Sequence, residues 1–245
     1  MAATRFVIAN INPGQLRMEY VLSVKALDRA TKELADADLA MVGDLLNGCG
    51  PYLDDGRNRC VEAARAMEEE WETLLFIDSD IEFTVQDVID LLTFQSEQPE
   101  ERPIVGGTYF SSNGSKFFTV AYRLDKGSPT GPYVSIPIKE IEEAVETGRD
   151  IPVRVDAIGT GFMAIRRELL ESFAETWHRP QPWFAELVTE LDDGTPVHMG
   201  EDLTFCARAE SMGYPMWLHQ GVRLVHYKTV GLAYQSAVPA KEEVV

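Results

Sequence analysis

The run Leu74-Leu75-Phe76-Ile77-Asp78-Ser79-Asp80 constrains the fold of this chain more than any other stretch. Four apolar residues pass straight into two carboxylates separated by one residue. A short, continuously apolar run of this kind suits a strand buried on both faces of a parallel sheet. Ligands of such sheets collect beyond the carboxyl ends of the strands, where Asp78 and Asp80 would emerge. Hard divalent cations take oxygen ligands and hold phosphate oxygens in turn, so the pair suits a Mg2+ or Mn2+ platform.

Position carries more weight here than the tripeptide. With 16 Asp in 245 residues, chance alone supplies about one Asp-x-Asp. A second copy, Asp36-Ala37-Asp38, precedes the apolar run Leu39-Ala40-Met41-Val42. It therefore stands at the wrong end of its strand and reads as a solvated turn.

The rest of the chain supplies a sheet around the acidic strand. Residues 4–11 read as a first strand, left by the turn Asn12-Pro13-Gly14. Leu16, Tyr20, Val24, Leu27, Thr31 and Leu34 recur at steps of three and four, which predicts one amphipathic helix. Residues 39–42 form a second strand ending at Gly43-Asp44. Strand, helix, strand implies a βαβ unit and a parallel sheet. Residues 45–56 lack periodicity and read as a loop. A helix follows with Cys60, Ala64, Met67 and Trp71 on one face and Asp54 or Asp55 as N-cap. Arg57 and Asn58 fall in its first turn, where free N–H groups and the helix dipole attract anions. Arg57 is there either a nucleotide or diphosphate contact or a surface arginine.

Thr84 and Asp87 form a capping box for a helix buried through Val85, Val88, Ile89 and Leu92. Residues 95–102 read as a polar connection, and Pro103-Ile104-Val105-Gly106-Gly107 as another strand. Residues 111–135 read as a hairpin or flap around 117–122, and 139–147 as a short acidic helix. Gly159-Thr160-Gly161 lacks the spacing of a dinucleotide or phosphate-loop fingerprint and suits tight packing. A helix over 166–177 turns Leu169, Leu170, Phe173 and Trp177 inward. Gly200-Glu201-Asp202 opens a helix ending at Gly213, with two acids complementing its dipole. Two strand-like runs, 216–219 and 222–227, are separated at Gly221. Of the four histidines, only His226 stands at the carboxyl end of an apolar strand, as Asp80 does.

Bulk properties narrow the classes. A net charge of −18 argues against a nucleic-acid partner, which needs a basic footprint. It also means that an anionic ligand needs a metal or a few well-placed arginines. No apolar run approaches the ~20 residues of a membrane span. The first residues lack a basic n-region and a long h-region, so no secretory signal is expected. Cys49, Cys60 and Cys206 lack metal spacing and read as reduced thiols in a cytoplasmic protein.

In this order, the pieces resemble a glycosyltransferase of the GT-A fold, of the broad family-2 type, over roughly residues 4–232. Arg57-Asn58 resembles that family's Arg-Asn element, and residues 74–80 its metal-binding strand. Gly159-Thr160-Gly161-Phe162-Met163 with Arg166-Arg167 resembles the acceptor-side strand and helix. Gly200-Glu201-Asp202 resembles the Glu-Asp element, and His226 the late metal-binding histidine. The compact form is most similar to small phage and bacterial members.

The resemblance implies a single α/β domain over 1–235, with a mostly parallel central sheet flanked by helices. Residues 1–110 would form the donor half, 111–235 the acceptor half and 236–245 a flexible tail. It implies a hexosyltransferase-like enzyme moving a sugar from a UDP- or GDP-sugar to a hydroxyl of a glycan, protein or small molecule. Asp80 and His226, with Asp78 assisting, would hold Mn2+ or Mg2+. Arg57, Asn58, Asp78, Ser79, Asn10 and Asp44 would border the nucleotide sugar. Asp202 or Glu201 would serve as base or acceptor anchor. The rival readings are a sugar-phosphate nucleotidyltransferase, for which Asn12-Pro13-Gly14-Gln15 is a poor triphosphate loop, and a non-catalytic nucleotide-sugar-binding protein.

Overall fold

The computed structural model describes residues 3–112, 116–125, 127–128, 131–146, 153–177, 182–190 and 194–228, apart from the side chains of 144–146. The expected tail over 236–245 lies outside them. The acidic run does form a strand, Thr73–Ile77, with all five residues buried. It sits within a seven-stranded sheet whose strand order is Val153–Val155, Met216–Arg223, Ile104–Thr108, Phe162–Arg166, Thr73–Ile77, Thr4–Asn12 and Leu39–Gly48.

The sheet is mostly parallel. Thr73–Ile77 pairs in parallel with Thr4–Asn12, which pairs in parallel with Leu39–Gly48. Ile104–Thr108 pairs in parallel with Met216–Arg223. Phe162–Arg166 runs antiparallel between Ile104–Thr108 and the acidic strand, and Val153–Val155 is antiparallel at one edge. Five strands thus share one direction, and their carboxyl ends share one edge of the sheet.

Helices cover both faces. On one side Leu53–Arg65, Arg167–Thr176 and Glu201–Ser211 pack a core containing Val61, Phe76, Phe173, Phe184 and Phe205. On the other, Met18–Arg29 and Val85–Glu97 pack a core containing Phe6, Ile8, Leu27, Leu75 and Leu92. Alternate residues of the acidic strand feed the two cores, Leu74 and Phe76 into one and Leu75 and Ile77 into the other. This explains its unbroken hydrophobicity.

Several boundaries differ from expectation for identifiable reasons. The second strand runs on to Gly48, paired throughout with Thr4–Asn12. It is the edge strand, and beyond Asp44 its residues alternate between half-buried and exposed, so no unbroken apolar run marks that extension. The helix expected from Leu16 to Leu34 is two helices, Met18–Arg29 and Thr31–Asp36, joined at Ala30. Tyr20, Leu27 and Leu34 stay buried on one face across the join, so the periodicity is unaffected. The next helix is Leu53–Arg65, with Tyr52 at its N-cap and no side-chain cap; Asp54 and Asp55 lie in its first turn. Trp71 lies beyond it and returns by donating its indole N–H to Ala64 O at 2.8 Å.

Gln95 belongs to the helix Val85–Glu97 and is buried. Its amide donates to Pro103 O and Ala164 O and accepts from Thr73 Oγ1, tying together two strands and the residue that leads into a third. The capping box of Thr84 and Asp87 is present. Asp38 has φ 55° at the turn before Leu39, as the solvated-turn reading of the second Asp-x-Asp requires. Gly221 does not end a strand: Met216–Arg223 is continuous, and a bulge between His219 and Arg223 absorbs the extra residues. Among the described residues, no helix is long and apolar enough to cross a membrane.

Candidate active site

Beyond the carboxyl end of the acidic strand lies a cleft of about 380 Å³. Three structural choices build it. The strand Thr73–Ile77 delivers Asp78, Ser79 and Asp80. The helix Leu53–Arg65 points Arg57 at them from one core, and Glu201–Ser211 brings Glu201 and Asp202 to the same floor.

Arg57 joins these elements. Its Nη2 lies 3.1 Å from Asp78 Oδ1, and its Nε donates to Glu201 Oε1 at 3.2 Å. The guanidinium is buried and packs on the Phe76 ring. Burial opposes its charge, but the two carboxylates outweigh that and raise its pKa further. Its Nη1 has no hydrogen-bond partner among the described residues. Because the helix begins at Leu53, Arg57 falls in its second turn and not, as expected, its first, and it is an internal crosslink at the cleft floor.

Asp80 is reached from the end of the chain. The two-residue strand Val225–His226 pairs antiparallel with Ile81–Glu82, setting His226 opposite Ile81. Tyr227 N donates to Asp80 O at 2.9 Å. His226 Nε2 consequently stands 3.2 Å from Asp80 Oδ2, and Lys228 Nζ stands 3.4 Å from the same oxygen. Burial pushes the Asp80 carboxyl up, but hydrogen bonding and charge from His226 and Lys228 prevail and hold it below its ordinary value.

His226 Nδ1 lies 2.8 Å from the Phe110 carbonyl oxygen, which can only accept. Nδ1 therefore carries the hydrogen, and a neutral ring turns the lone pair of Nε2 toward Asp80 Oδ2. Two facing acceptors need either a second ring proton or a cation between them. Anchoring one ring nitrogen on a carbonyl is also how metal-binding imidazoles are oriented. Asp80 and His226 thus fit as two ligands of a divalent ion. Among the described residues no group of three His, Cys, Asp or Glu is placed to hold one. Asp78, expected as an assisting ligand, lines the same cleft and is paired with Arg57.

Asp202 lines the same cleft. Leu203 N donates to its Oδ1 at 2.7 Å. Desolvation and the adjacent Glu201 charge push its carboxyl up to about 6, against the opposing pull of that N–H and of Arg57. A carboxylate held there is a stronger base than an ordinary one while staying largely ionised at neutral pH.

No family model and no curated protein sequence matches the chain. Solved structures do. The structure of A197 from STIV is similar with a TM-score of 0.52 and 15% identity, over 94% of this chain and 97% of that one. GalNAc-T7, crystallised with UDP, GalNAc and Mn2+, is similar with a TM-score of 0.57 and 14% identity. That match covers 94% of this chain and 44% of the GalNAc-T7 chain.

The fold is GT-A.

In this GT-A chain the cleft gathers Arg57, Asp78, Ser79, Asp80, Glu201, Asp202 and His226. Three other expected residues do not line it. Asn58 exchanges hydrogen bonds with the backbone of Phe184, donating to its O at 2.9 Å and accepting from its N at 3.0 Å. Asn10 is buried beneath the cleft and donates to Ile77 O at 2.6 Å, fixing the first strand to the acidic one. Asp44 lies on the edge strand, paired with Ile8, two strands away from the acidic strand. The chemistry of their side chains suits a ligand, but the fold engages two of them and displaces the third.

The cleft also holds residues that sequence reasoning missed, chiefly Tyr109, Tyr122, Thr160 and Lys228. Tyr109 follows directly on the strand Ile104–Thr108, the same signal that singled out Asp78. Its hydroxyl accepts from Gly161 N at 2.8 Å, and its ring meets His226 edge-on at 5.3 Å. A Cβ at Gly161 or Gly159 would fall 2.5 or 2.6 Å from that hydroxyl. Tight packing, as expected, accounts for both glycines.

Proposed function

We propose that this chain transfers a sugar from a nucleotide-diphosphate sugar to an acceptor hydroxyl, with a divalent cation held by Asp80 and His226. The observation that carries the reading is the convergence of Asp80 Oδ2 and His226 Nε2 at 3.2 Å, with the other ring nitrogen anchored on Phe110 O. A Mn2+ or Mg2+ ion there would supply charge for a departing nucleoside diphosphate. UDP is the first nucleotide to test, because GalNAc-T7 was crystallised with UDP, GalNAc and Mn2+; GDP is the second.

The protein's own groups fill the remaining roles. Asp78 and Glu201 hold Arg57 rigid, so the cleft floor is organised before any ligand arrives. Asp202 takes the proton of the acceptor hydroxyl as its oxygen attacks the anomeric carbon. Tyr109 backs the His226 ring and the Gly161 loop, keeping the imidazole edge toward Asp80. Glu201 faces Arg57, which leaves Asp202 as the carboxylate available for proton transfer.

Nucleoside diphosphate release from a panel of UDP- and GDP-sugars, with Mn2+ or Mg2+ and candidate glycan, protein and small-molecule acceptors, tests the reading. Metal-dependent release supports it. Pyrophosphate formed from a nucleoside triphosphate and a sugar phosphate would replace it with nucleotidyl transfer. Binding without turnover of any donor would leave a nucleotide-sugar-binding protein.

A further inference from the structure

The cations of the cleft are not equivalent. Arg57 is buried and divided between Asp78 and Glu201, so its charge is already balanced inside the protein. Lys228 has a half-exposed side chain, 48% accessible, and one carboxylate contact, Asp80 Oδ2 at 3.4 Å. That oxygen also faces His226 Nε2 at 3.2 Å. Asp80 Oδ2 cannot serve a divalent ion and an ammonium group together without forcing like charges close to one another. An ammonium on a flexible four-carbon stem can leave for a neighbouring anion at little cost.

The carboxylates of the cleft floor offer such an anion nothing. Asp78, Glu201 and Asp202 line it, and Arg57 answers two of the three. Among the described residues lining the cleft, Lys228 is therefore the cationic side chain with room to turn toward a diphosphate entering beside Asp80. We infer that Lys228 is a phosphate-binding residue of this cleft, paired with Asp80 in the free protein and with the diphosphate of the nucleotide in the complex. The inference rests on the nucleotide-sugar reading above and names the residue that receives the leaving group.

One consequence separates it from a structural role. Lys228 competes with a metal ion for Asp80 but joins it in holding the nucleotide, so removing the ammonium moves two affinities in opposite directions. Calorimetric titration of the wild type, Lys228→Ala and Lys228→Arg reads both, first with Mn2+ alone and then with UDP and GDP in saturating Mn2+. Lys228→Ala is expected to bind Mn2+ about two- to fivefold more tightly, the scale of a lost exposed ion pair. The better-bound nucleoside diphosphate is expected to weaken about tenfold or more, the scale of a charge-assisted hydrogen bond. Lys228→Arg should stay within about threefold of wild type for the nucleotide, since it keeps the charge. Unchanged nucleotide affinity in Lys228→Ala, or a parallel loss of both ligands, overturns the assignment while leaving the functional reading in place. A wild-type protein that binds neither Mn2+ nor a nucleoside diphosphate overturns both.

Discussion

Arg57 and Glu201 are 144 positions apart in sequence, yet Arg57 Nε donates to Glu201 Oε1 at 3.2 Å inside the protein. With Asp78 also paired to the same guanidinium, this contact ties the helix Leu53–Arg65, the acidic strand and the helix bearing Asp202 into one floor. Removing Arg57 would leave two carboxylates facing each other in low dielectric, which is expensive. The relative placement of Asp80 and Asp202 thus depends on an ion pair that neither residue makes.

Chelation should abolish donor binding and transfer, and Mn2+ or Mg2+ should restore both. His226→Ala should weaken Mn2+ binding far more than His219→Ala. The His219 ring packs on Phe94 at 5.3 Å, away from Asp80. Metal titration of the two variants checks this; equal affinities would remove His226 from the site.

Asp80→Asn and Asp202→Asn should separate binding from chemistry. Asp80→Asn should lose donor affinity and rate together. Asp202→Asn keeps the shape and the start of the helix, so donor affinity should hold while turnover falls ~10²–10⁴-fold, the loss typical of a removed general base. If Asp202 only complements the helix dipole, the change costs at most ~1 kcal/mol of stability and turnover stays near normal. Steady-state kinetics together with donor titration distinguish the two.

The pH profile follows from the same residue. Asp202 must be ionised to act as a base, and its carboxyl is pushed up to about 6. Transfer should therefore rise with pH through about 6 and level off above it, and Asp202→Asn should erase that limb. Stability runs the other way. A carboxyl raised in the fold binds its proton more tightly there than in the unfolded chain, so its contribution is full below the ordinary carboxylate range and is lost as pH rises through about 6.

Asn58→Ala should act on the fold before the ligand. Its amide holds both the N–H and the C=O of Phe184, and leaving buried partners unsatisfied costs about 1–3 kcal/mol each. Urea unfolding should show the loss, while the nucleotide affinity of the folded fraction should change little.

Gly161→Ala would set a methyl group 2.5 Å from the Tyr109 hydroxyl. Overpacking of this kind costs about 1–3 kcal/mol. Tyr109 packs on His226, so the variant should also weaken Mn2+ binding. Combining it with Tyr109→Phe should recover part of the stability, measured by the same unfolding experiment.

The strand-end logic was legible wherever a side chain follows an apolar run directly, as with Asp78, Asp80 and His226. It was not legible where function and scaffold use the same residue types. Asn58 has the chemistry of a ligand contact, but a buried segment 126 positions later takes its amide. Asp44 ends a recognisable apolar run, but that run lies at the sheet edge, and one sequence does not reveal strand order. The reversal of Phe162–Arg166 was equally hidden, because a strand buried among neighbours has the same composition in either direction. Lys228 went unnoticed because it lies past the last strand, and only pairing with Ile81–Glu82 draws that segment across the cleft.

That pairing has a consequence for how the protein comes into being. All seven strands of the main sheet are complete at Arg223, whereas His226 and Lys228 arrive five residues or fewer later, on a clasp two residues wide. Assembly of the scaffold and completion of the cleft are therefore successive events along the chain. A molecule cut after Arg223 should retain the seven strands and the Arg57 crosslink but lose the imidazole and the ammonium that face Asp80. On the functional reading proposed above, loss of the clasp alone should abolish metal binding while the main sheet stays in place.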